Sequence, residues 1–341
     1  MKLDEIAALS SSDRQGYFAV AADSLPLPSI AVVEKDFWVC WLLQKFFSLD
    51  GEFGPFTFKG GTSLSKCFDL ISRFSEDIDI GVERKTIGYG DDSYFYDAPS
   101  KTKRIQRVDE QNAKSFEWLH QRIAPRLRQI ASEVLGDSGW EFTPNNDAPD
   151  RLCFNYPRES APSQYLSPEV LIEFGTLDAW PVEEVAIRPY IGALPELSSL
   201  EATTVRALDP TRTFWEKAVI LHRFAHFAYD RPFPAGKSRH YYDVMMIYRA
   251  RKTDILNSVG LLPIIARYKD TFYPLGYARY DLAEDPQTLL LIPPAHLQRD
   301  VERDYETIAT EMIFPSSTPP TFADIMTELT ELQKRIHAIR L

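Results

Sequence analysis

The sequence is poor in cysteine, has no long apolar run and has no excess of positive charge. Its three cysteines, Cys40, Cys67 and Cys153, are far apart and form no CxxC pair, so neither a disulfide framework nor a structural zinc site is expected. The densest apolar run, residues 37–43, is far shorter than the ~20 residues that cross a bilayer. We therefore expect a cytoplasmic protein without a membrane segment.

Charge and composition exclude some nucleic-acid-binding proteins but not all of them. The chain of 341 residues has 44% hydrophobic and 26% charged residues, an ordinary globular balance, and a net charge of −11. A protein that coats nucleic acid regardless of sequence needs a dominant positive field, which this chain lacks. One RNA held in a local basic groove is compatible with these numbers.

The order of apolar patterns predicts an α+β fold. Helical spacing alternates with short strand-like runs as far as residue 207, which is typical of a mixed sheet with flanking helices. From residue 208 the pattern is mainly helical, so we expect two domains, residues 1–207 and 208–341. The predicted strands are residues 56–58, 77–82, 139–144, 151–156, 169–175 and 185–191. The predicted long helices of the first domain are residues 30–49 and 104–135, the latter broken near Pro125, and residues 84–103 are predicted as a loop.

The stretch KGGTSLSKCFDLISRFSEDIDI, residues 59–80, joins a glycine turn to two closely spaced carboxylates. It matches neither the GxxxxGK[ST] loop nor the GxGxxG fingerprint, which excludes those two modes of nucleotide binding. Gly60 and Gly61 stand between a predicted strand and a predicted helix. Glycine there lets the backbone approach a phosphate, and helix amides attract anions. Thr62 and Ser63 add hydroxyl groups at the same turn.

Asp77 and Asp79 lie two residues apart on a predicted strand. Residues i and i+2 of a strand share a face, so both carboxylates point to one site with Ile78 packed behind them. Magnesium prefers carboxylate oxygens, and two divalent ions serve phosphoryl and nucleotidyl transfer well. An isolated pair of this kind is more often a solvated surface, but the adjacent glycine turn favours a nucleotide site with metal ions.

With these residues, the chain resembles the AbiEii/AbiGii toxin family of the polymerase-beta-type nucleotidyltransferase superfamily. The segment EKDFWV (34–39) also resembles the family's sequence ahead of the glycine motif. The resemblance implies an enzyme that binds an NTP with Mg²⁺ or Mn²⁺ and transfers a nucleotidyl group, and known targets in the family include the 3′ end of tRNA. The matching positions are Gly60, Gly61, Thr62, Leu64, Lys66, Arg73, Ser75, Asp77 and Asp79.

The same resemblance implies a lysine and an aspartate farther along the chain, which correspond here to Lys217 and Asp243. Lys217 lies on an otherwise apolar helix face, where a lysine either extends to solvent or contacts an anion, and we expect a phosphate contact. Asp243 suits the start of a helix through the helix dipole alone, but we prefer a catalytic role for it. Whether it positions Lys217, a metal ion or the acceptor hydroxyl stays open.

The superfamily also uses a third carboxylate from a neighbouring strand. Glu173, a lone acid in a predicted strand, is the first candidate for this metal ligand, and Asp178 is the second. Arg73 either pairs with one of the two nearby aspartates or steadies the triphosphate. Ser75 and Lys66 are expected beside the nucleotide because of their places in the motif.

Basic and aromatic residues offer candidate RNA contacts. The runs 101–107 and 231–240 are rich in lysine and arginine, and Tyr241 and Tyr242 offer rings for base stacking. A basic run alone is more often a solvated face, so these contacts depend on the nucleotide site for support.

The expected function is a metal-dependent nucleotidyltransferase toxin of a toxin–antitoxin or abortive-infection system. The expected acceptor is an RNA 3′ end, above all tRNA, and the expected protein partner is a cognate antitoxin. In one alternative, the same fold modifies a protein hydroxyl or a small molecule such as an antibiotic. In the other, the chain is a non-catalytic nucleotide-binding module, although such a module would be free to lose its paired aspartates or Lys217.

Overall fold

A computed structural model describes residues 1–25, 27, 29–145, 148–160, 166–167, 169–178, 180–314 and 317–340 of the chain. The chain divides into two compact units. The first unit comprises Met1–Asp69, Phe74–Leu208 and Phe314–Ser316. The second unit comprises Leu70–Arg73, Asp209–Ile313 and Ser317–Leu341, so the chain passes between the units at more than one point.

The first unit contains a mixed β-sheet. Its described strands are β1 (Phe56–Lys59), β2 (Ile78–Glu83), β3 (Glu141–Pro144), β4 (Arg151–Asn155), β5 (Val170–Leu177), β6 (Val182–Ile187) and β7 (Thr203–Leu208). The strand order is β3-β4-β5-β2-β1-β7-β6. The pairs β1–β7 and β2–β5 are parallel, and the other neighbours are antiparallel. The predicted α+β class with a mixed sheet is confirmed.

Burial alternates along β2, which lies at the centre of the sheet. Ile78, Ile80 and Val82 are fully buried on one face of the strand, whereas Asp79 lies on the other face and is only partly buried. This period of two is the pattern of a strand with one apolar face. Asp79 is therefore presented on the face opposite the buried isoleucines, and Asp77 directly precedes the strand.

Helices cover the apolar face of the sheet. Those of the first unit are α1 (Leu3–Ala7), α2 (Ser11–Ser24), α3 (Ile30–Ser48), α4 (Asp50–Phe53), α5 (Gly60–Lys66), α6 (Ser93–Tyr96), α7 (Lys101–Glu117) and α8 (Ala124–Leu135). Ser29 caps α3 by accepting the N–H of Val32. Helix α3 packs against β5 and β7, and its Trp41 ring stacks on Phe154 with 5.7 Å between centroids. Aromatic packing of this kind holds α3 firmly to the sheet.

Three local predictions need correction. Pro125 does not break the helix: a π-helical turn, Trp118–Ile123, leads into α8, and the wider turn accommodates the missing N–H of proline. Residues 84–103 are not all loop, because they contain a 3₁₀ turn, Arg84–Ile87, and α6. Strand β7 was not predicted, since Arg206 interrupts its apolar pattern and instead donates to the Phe56 carbonyl of β1.

The second unit is helical in its described residues. Its helices are α9 (Pro210–Ala225), α10 (Arg239–Ala250), α11 (Lys252–Asn257), α12 (Leu261–Phe272), α13 (Tyr280–Ala283), α14 (Gln298–Glu311) and α15 (Phe322–His337). Asp209 caps α9 by accepting the N–H of Thr211 at 2.7 Å, and proline at the first helical position suits this start. Helix α9 packs against α10, α12 and α13. None of the helices in the described chain is both long and apolar enough to cross a membrane.

Candidate active site

The glycine turn after β1 brings the backbone of α5 against a carboxylate. Gly60 has a φ of +79°, in the left-handed region that glycine adopts without strain. A Cβ atom at this position would lie 1.9 Å from Asp79 Oδ2. Only glycine therefore fits between the start of α5 and the side chain of Asp79. Gly61 follows it in the first turn of the same helix.

The hydroxyl groups of this turn bind the protein itself. Ser63 Oγ donates to the carbonyl of Gly60 at 3.0 Å. Thr62 is 1% exposed, and its Oγ1 lies 2.5 Å from the carbonyl oxygen of Asp77 and 3.0 Å from Ser75 Oγ. Thr62 thus ties the start of α5 to the backbone of Asp77. Nucleotide contacts of Thr62, Ser63 and Ser75 stay predictions.

Four charged residues lie side by side on four neighbouring strands, and we call them the charged row. In the strand register, Asp79 of β2 faces Lys59 of β1 on one side and Glu173 of β5 on the other. Glu173 in turn faces Arg151 of β4. Lys59 Nζ lies 3.7 Å from Asp79 Oδ1, and Arg151 Nη2 lies 2.7 Å from Glu173 Oε1. The row therefore has two carboxylates at its centre and one cation at each end.

The carboxylates of the charged row repel one another. Burial, then the charge of Asp79 and, least, that of Asp77 raise the pKa of Glu173 to about 7. Arg151 and Lys59 act in the opposite direction without cancelling the rise. A proton or a metal cation would relieve this repulsion.

The donor chemistry of Asp77, Asp79 and Glu173 fits a divalent cation. Oxygen ligands suit Mg²⁺ and Mn²⁺, and the register places Asp79 and Glu173 side by side. Asp77 directly precedes β2 and is close enough to contribute to the raised pKa of Glu173. Across the described ranges, no group of three or more His, Cys, Asp or Glu side chains is already arranged as a metal site. Binding of an ion would therefore require the carboxylates to rotate on a backbone that presents them together.

Asp178, the second candidate for the third carboxylate, has a different environment. Arg84 Nη1 lies 2.7 Å from Asp178 Oδ1 and also pairs with Asp92. Burial and a hydrogen bond with Asp178 raise the pKa of Asp92 to about 6. Asp178 directly follows the C-terminal end of β5, whereas Glu173 lies within the strand beside Asp79. The register therefore favours Glu173.

Lys66 is held by a local ion pair. Its Nζ lies 2.7 Å from Asp36 Oδ1 and 4.1 Å from the centre of the Tyr190 ring. Burial by itself lowers the pKa of Lys66, but the Asp36 carboxylate outweighs this effect and raises it. Lys66 is therefore charged and tied to α3, and its contact with a nucleotide stays a prediction.

The second unit contains a buried cluster of two cations and one carboxylate, Arg73, Lys217 and Asp243, which we call the cationic cluster. Arg73 Nε and Nη2 each lie 2.8 Å from one oxygen of Asp243. Lys217 Nζ lies 2.8 Å from Asp243 Oδ2. The structure thus gives Arg73 a partner that the sequence did not suggest, and it shows that Asp243 holds Lys217.

The cationic cluster carries one more positive than negative charge. Although burial raises the pKa of Asp243, Arg73 and then Lys217 hold it well below its usual range. Burial lowers the pKa of Lys217, and Arg73 lowers it further against the effect of Asp243. His240 adds no charge, because burial and Lys217 keep its pKa well below its ordinary value. A buried excess of positive charge favours the approach of an anion.

The expected aromatic contacts with RNA need correction. Tyr241 and Tyr242 are 0% and 1% exposed, so neither ring is open to a base. Their side of α10 belongs to the interior, where tyrosine contributes packing area. The basic run 101–107, by contrast, is largely exposed, and Arg107 lies 4.4 Å from the centre of the Tyr94 ring.

Sequence reasoning did not assign a role to Arg151 or Lys59. Each is the cation that faces a carboxylate of the charged row. In the sequence, Lys59 directly follows one predicted strand and Arg151 begins another. These positions became meaningful only with the strand register.

Comparison with known proteins identifies the family. A family model described as nucleotidyl transferase AbiEii toxin, of type IV toxin–antitoxin systems, matches residues 41–328. The chain belongs to this family. The AbiEii resemblance of the glycine and aspartate motif is thereby confirmed, and the protein is a nucleotidyltransferase toxin.

Solved structures and curated proteins provide two further comparisons. Among solved structures, this AbiEii protein is similar to MenT4, a nucleotidyltransferase toxin from Mycobacterium tuberculosis H37Rv, with 16% identity and a TM-score of 0.44. The similarity covers 96% of this chain and 90% of MenT4. No curated protein matches the chain.

Proposed function

We propose that this toxin transfers a nucleotide from an NTP to the 3′ hydroxyl of an RNA, with tRNA as the first candidate. The observation that carries the proposal is the charged row, whose acidic centre lies against the glycine turn at Gly60. Asp77, Asp79 and Glu173 would hold Mg²⁺ or Mn²⁺. When bound, such ions supply positive charge to the triphosphate and lower the pKa of the acceptor hydroxyl.

The protein's own groups would bind and orient the nucleotide. Gly60 and Gly61 leave the start of α5 free of side chains, so that a phosphate can approach the backbone. Lys217 would contact a phosphate, because its ammonium group is held in place beside Arg73 by Asp243. Asp243 would orient the ammonium group of Lys217 and the guanidinium group of Arg73.

The proposed reaction needs no protein nucleophile. The 3′ hydroxyl oxygen forms a bond to the α-phosphorus of the NTP. The bond between that phosphorus and the oxygen bridging to the β-phosphate breaks, pyrophosphate leaves, and the hydroxyl proton passes to water. Positioning and charge stabilisation account for most of the catalysis in reactions of this type.

An RNA acceptor is supported by the first turns of α7. Lys101 and Lys103 are exposed there, and Arg107 lies over the exposed Tyr94 ring. A basic surface with an aromatic ring suits a phosphate backbone and an unstacked base. We also propose a cognate antitoxin as protein partner, in keeping with the type IV toxin–antitoxin family.

The test is to label tRNA with the purified protein. Total tRNA is incubated with Mg²⁺ and each α-labelled NTP in turn, beside tRNA whose 3′ end has been oxidised with periodate. We expect one NTP to label intact tRNA but not oxidised tRNA, and Asp77→Asn/Asp79→Asn to label neither.

Other outcomes would contradict this proposal. Label in a protein band, with none in RNA, would instead support modification of a protein hydroxyl. Labelling of oxidised tRNA at the level of intact tRNA would exclude the 3′ hydroxyl as acceptor.

A further inference from the structure

Three consecutive charged residues lie inside the first unit on α3. Glu34, Lys35 and Asp36 are 0%, 1% and 2% exposed, between apolar neighbours of the helix. Buried charges are unfavourable unless each is paired and hydrogen-bonded. Successive residues of a helix point about 100° apart, so the three side chains leave α3 in three directions.

Glu34 holds the start of the connection between β4 and β5. Its carboxylate accepts the backbone N–H of Glu159 and, at 3.0 Å, that of Ser160. It also accepts the hydroxyl of Ser160. This connection leads into the strand that carries Glu173.

Lys35 holds the chain immediately before the paired aspartates. Its ammonium group pairs with Glu76, which directly precedes Asp77. The same group donates to the carbonyl of Ser167 at 3.0 Å, near the start of β5. One buried cation thus connects the entrances of the two central acidic strands.

Asp36 holds the end of the helix that follows the glycine turn. It accepts from Lys66 at 2.7 Å and from the backbone N–H of Tyr190 at 2.6 Å. Lys66 is the last residue of α5, and Gly60 is the first. The position of α5 relative to α3 is therefore fixed at the helix end opposite the glycine turn.

We propose that Glu34, Lys35 and Asp36 are positioning residues for nucleotidyl transfer. From one rigid helix they fix the three segments that carry the glycine turn, the paired aspartates and Glu173. None of them touches the reacting atoms. The inference rests on the proposed carboxylate site, and its test therefore includes a measurement that does not depend on activity.

Lys35 gives the sharpest test, because its partner Glu76 is adjacent to Asp77. The variants are Lys35→Met, Glu76→Gln, the double variant, and Lys35→Arg, which keeps the charge. Lys45→Met is the matched control, since Lys45 is also a buried lysine of α3 and loses an ion pair with Asp4. Thermal unfolding of each variant reports its general loss of stability.

Hydrogen exchange measures positioning directly. Lys35→Met and Glu76→Gln should exchange faster over residues 74–80 than the native protein, while residues 203–208 of β7 stay protected. Lys45→Met should leave residues 74–80 unchanged at a similar loss in melting temperature. Unchanged exchange over residues 74–80 in both Lys35→Met and Glu76→Gln would overturn the proposal, whatever the enzyme does.

Mn²⁺ affinity and transfer kinetics give the functional consequence. Loss of a partner that orients metal ligands costs about 10- to 100-fold in metal affinity or activity. We expect losses of this size, mainly in kcat, for Lys35→Met and Glu76→Gln, little further loss in the double variant, and partial recovery in Lys35→Arg. An equal loss in Lys45→Met would show that the effect is general destabilisation and would contradict the proposal.

Failure of the proposed function would give a different set of results from failure of the positioning role. If the native protein bound no Mn²⁺ and labelled no RNA, the carboxylate site would be wrong. The exchange over residues 74–80 would still decide whether Lys35 positions this segment.

Discussion

The charged row of the first unit and the cationic cluster of the second unit carry opposite imbalances of charge. At the centre of the row, burial and the charge of Asp79 raise the pKa of Glu173, and the outer cations do not cancel this effect. The cluster joins two cations to one carboxylate, and the pKa of Lys217 falls as a result. The row is partly exposed, whereas the cluster is almost fully buried.

This difference indicates two kinds of ligand. A partly exposed acidic centre is stabilised by a cation that arrives from solution, and the carboxylates can rotate to meet it. The buried cluster, with two cations and one carboxylate among its three residues, suits an anion and loses much stability when Asp243 is removed.

The largest effect is expected from removing the acidic centre. Asp77→Asn/Asp79→Asn should lower transfer by about a thousandfold or more, because metal-ion stabilisation of the transition state is worth several kcal/mol. Single-turnover transfer measures this loss. The exposed pair Glu183→Gln/Glu184→Gln on β6 removes the same charge and should leave the rate unchanged. An equal loss in that control would show that overall charge, not the site, matters.

The cationic cluster should separate activity from stability. Lys217→Met leaves the neutral Arg73–Asp243 pair, so we expect about a hundredfold loss of transfer with little change in the free energy of unfolding. Asp243→Asn leaves two buried cations without their counterion and should cost about 3–5 kcal/mol of stability. Urea unfolding beside transfer rates measures both. Equal destabilisation by the two variants would refute the role of Asp243 as the counterion that Arg73 and Lys217 share.

The glycine turn should respond to one added carbon. Gly60→Ala strains the backbone and drives a Cβ atom into Asp79, so we expect about a tenfold or greater loss of transfer along with lower stability. Gly88 is the matched control in the same unit, with a φ of +86° and open space around a new Cβ atom. Gly88→Ala should lose similar stability and keep its transfer rate. If both variants keep their activity, the contact with Asp79 has no role.

The smallest effect is a dependence of stability on pH. The pKa of Glu173 is raised from 4.5 to about 7, so between these values the folded state binds more protons than the unfolded state. The free energy of unfolding contributed by Glu173 therefore falls as pH rises through this window. Its side chain is 34% exposed, which keeps the effect small.

This effect is measured by urea unfolding from pH 5 to pH 8. The native protein without metal should lose stability toward pH 8 relative to Glu173→Gln, and added Mg²⁺ should remove the difference. Glu183→Gln serves as the control and should follow the native protein. A native curve parallel to that of Glu173→Gln would contradict the repulsion in the charged row.

Local pattern was enough to predict much of the fold. The period of two around Ile78 and Ile80 predicted β2, although Asp77 lies just before the strand, and the apolar spacing after residue 30 predicted α3. Strand β7 was not predicted, because a strand with Arg206 at its centre has a weak apolar pattern. The helix break predicted near Pro125 was wrong, because a π-helical turn precedes this residue and leads into α8. No residue in the sequence signals such a turn.

Long-range pairing set the limit for the site. Arg73 and Asp243 are 170 residues apart in sequence, and nothing local relates them. The charged row likewise depends on the register of four strands. The buried charges of α3 left a clearer sign, since three consecutive charges inside a predicted buried helix require partners.

The passage of the chain between units has a consequence for how this toxin can be divided or inherited. Leu70–Arg73 belongs to the second unit, yet it is encoded between the glycine turn and the paired aspartates of the first. A gene fragment that ends at Leu208 would therefore carry Arg73 without Asp243 and Lys217. Recombination at the apparent domain boundary would separate these three residues, so the two units are a poor pair of exchangeable modules.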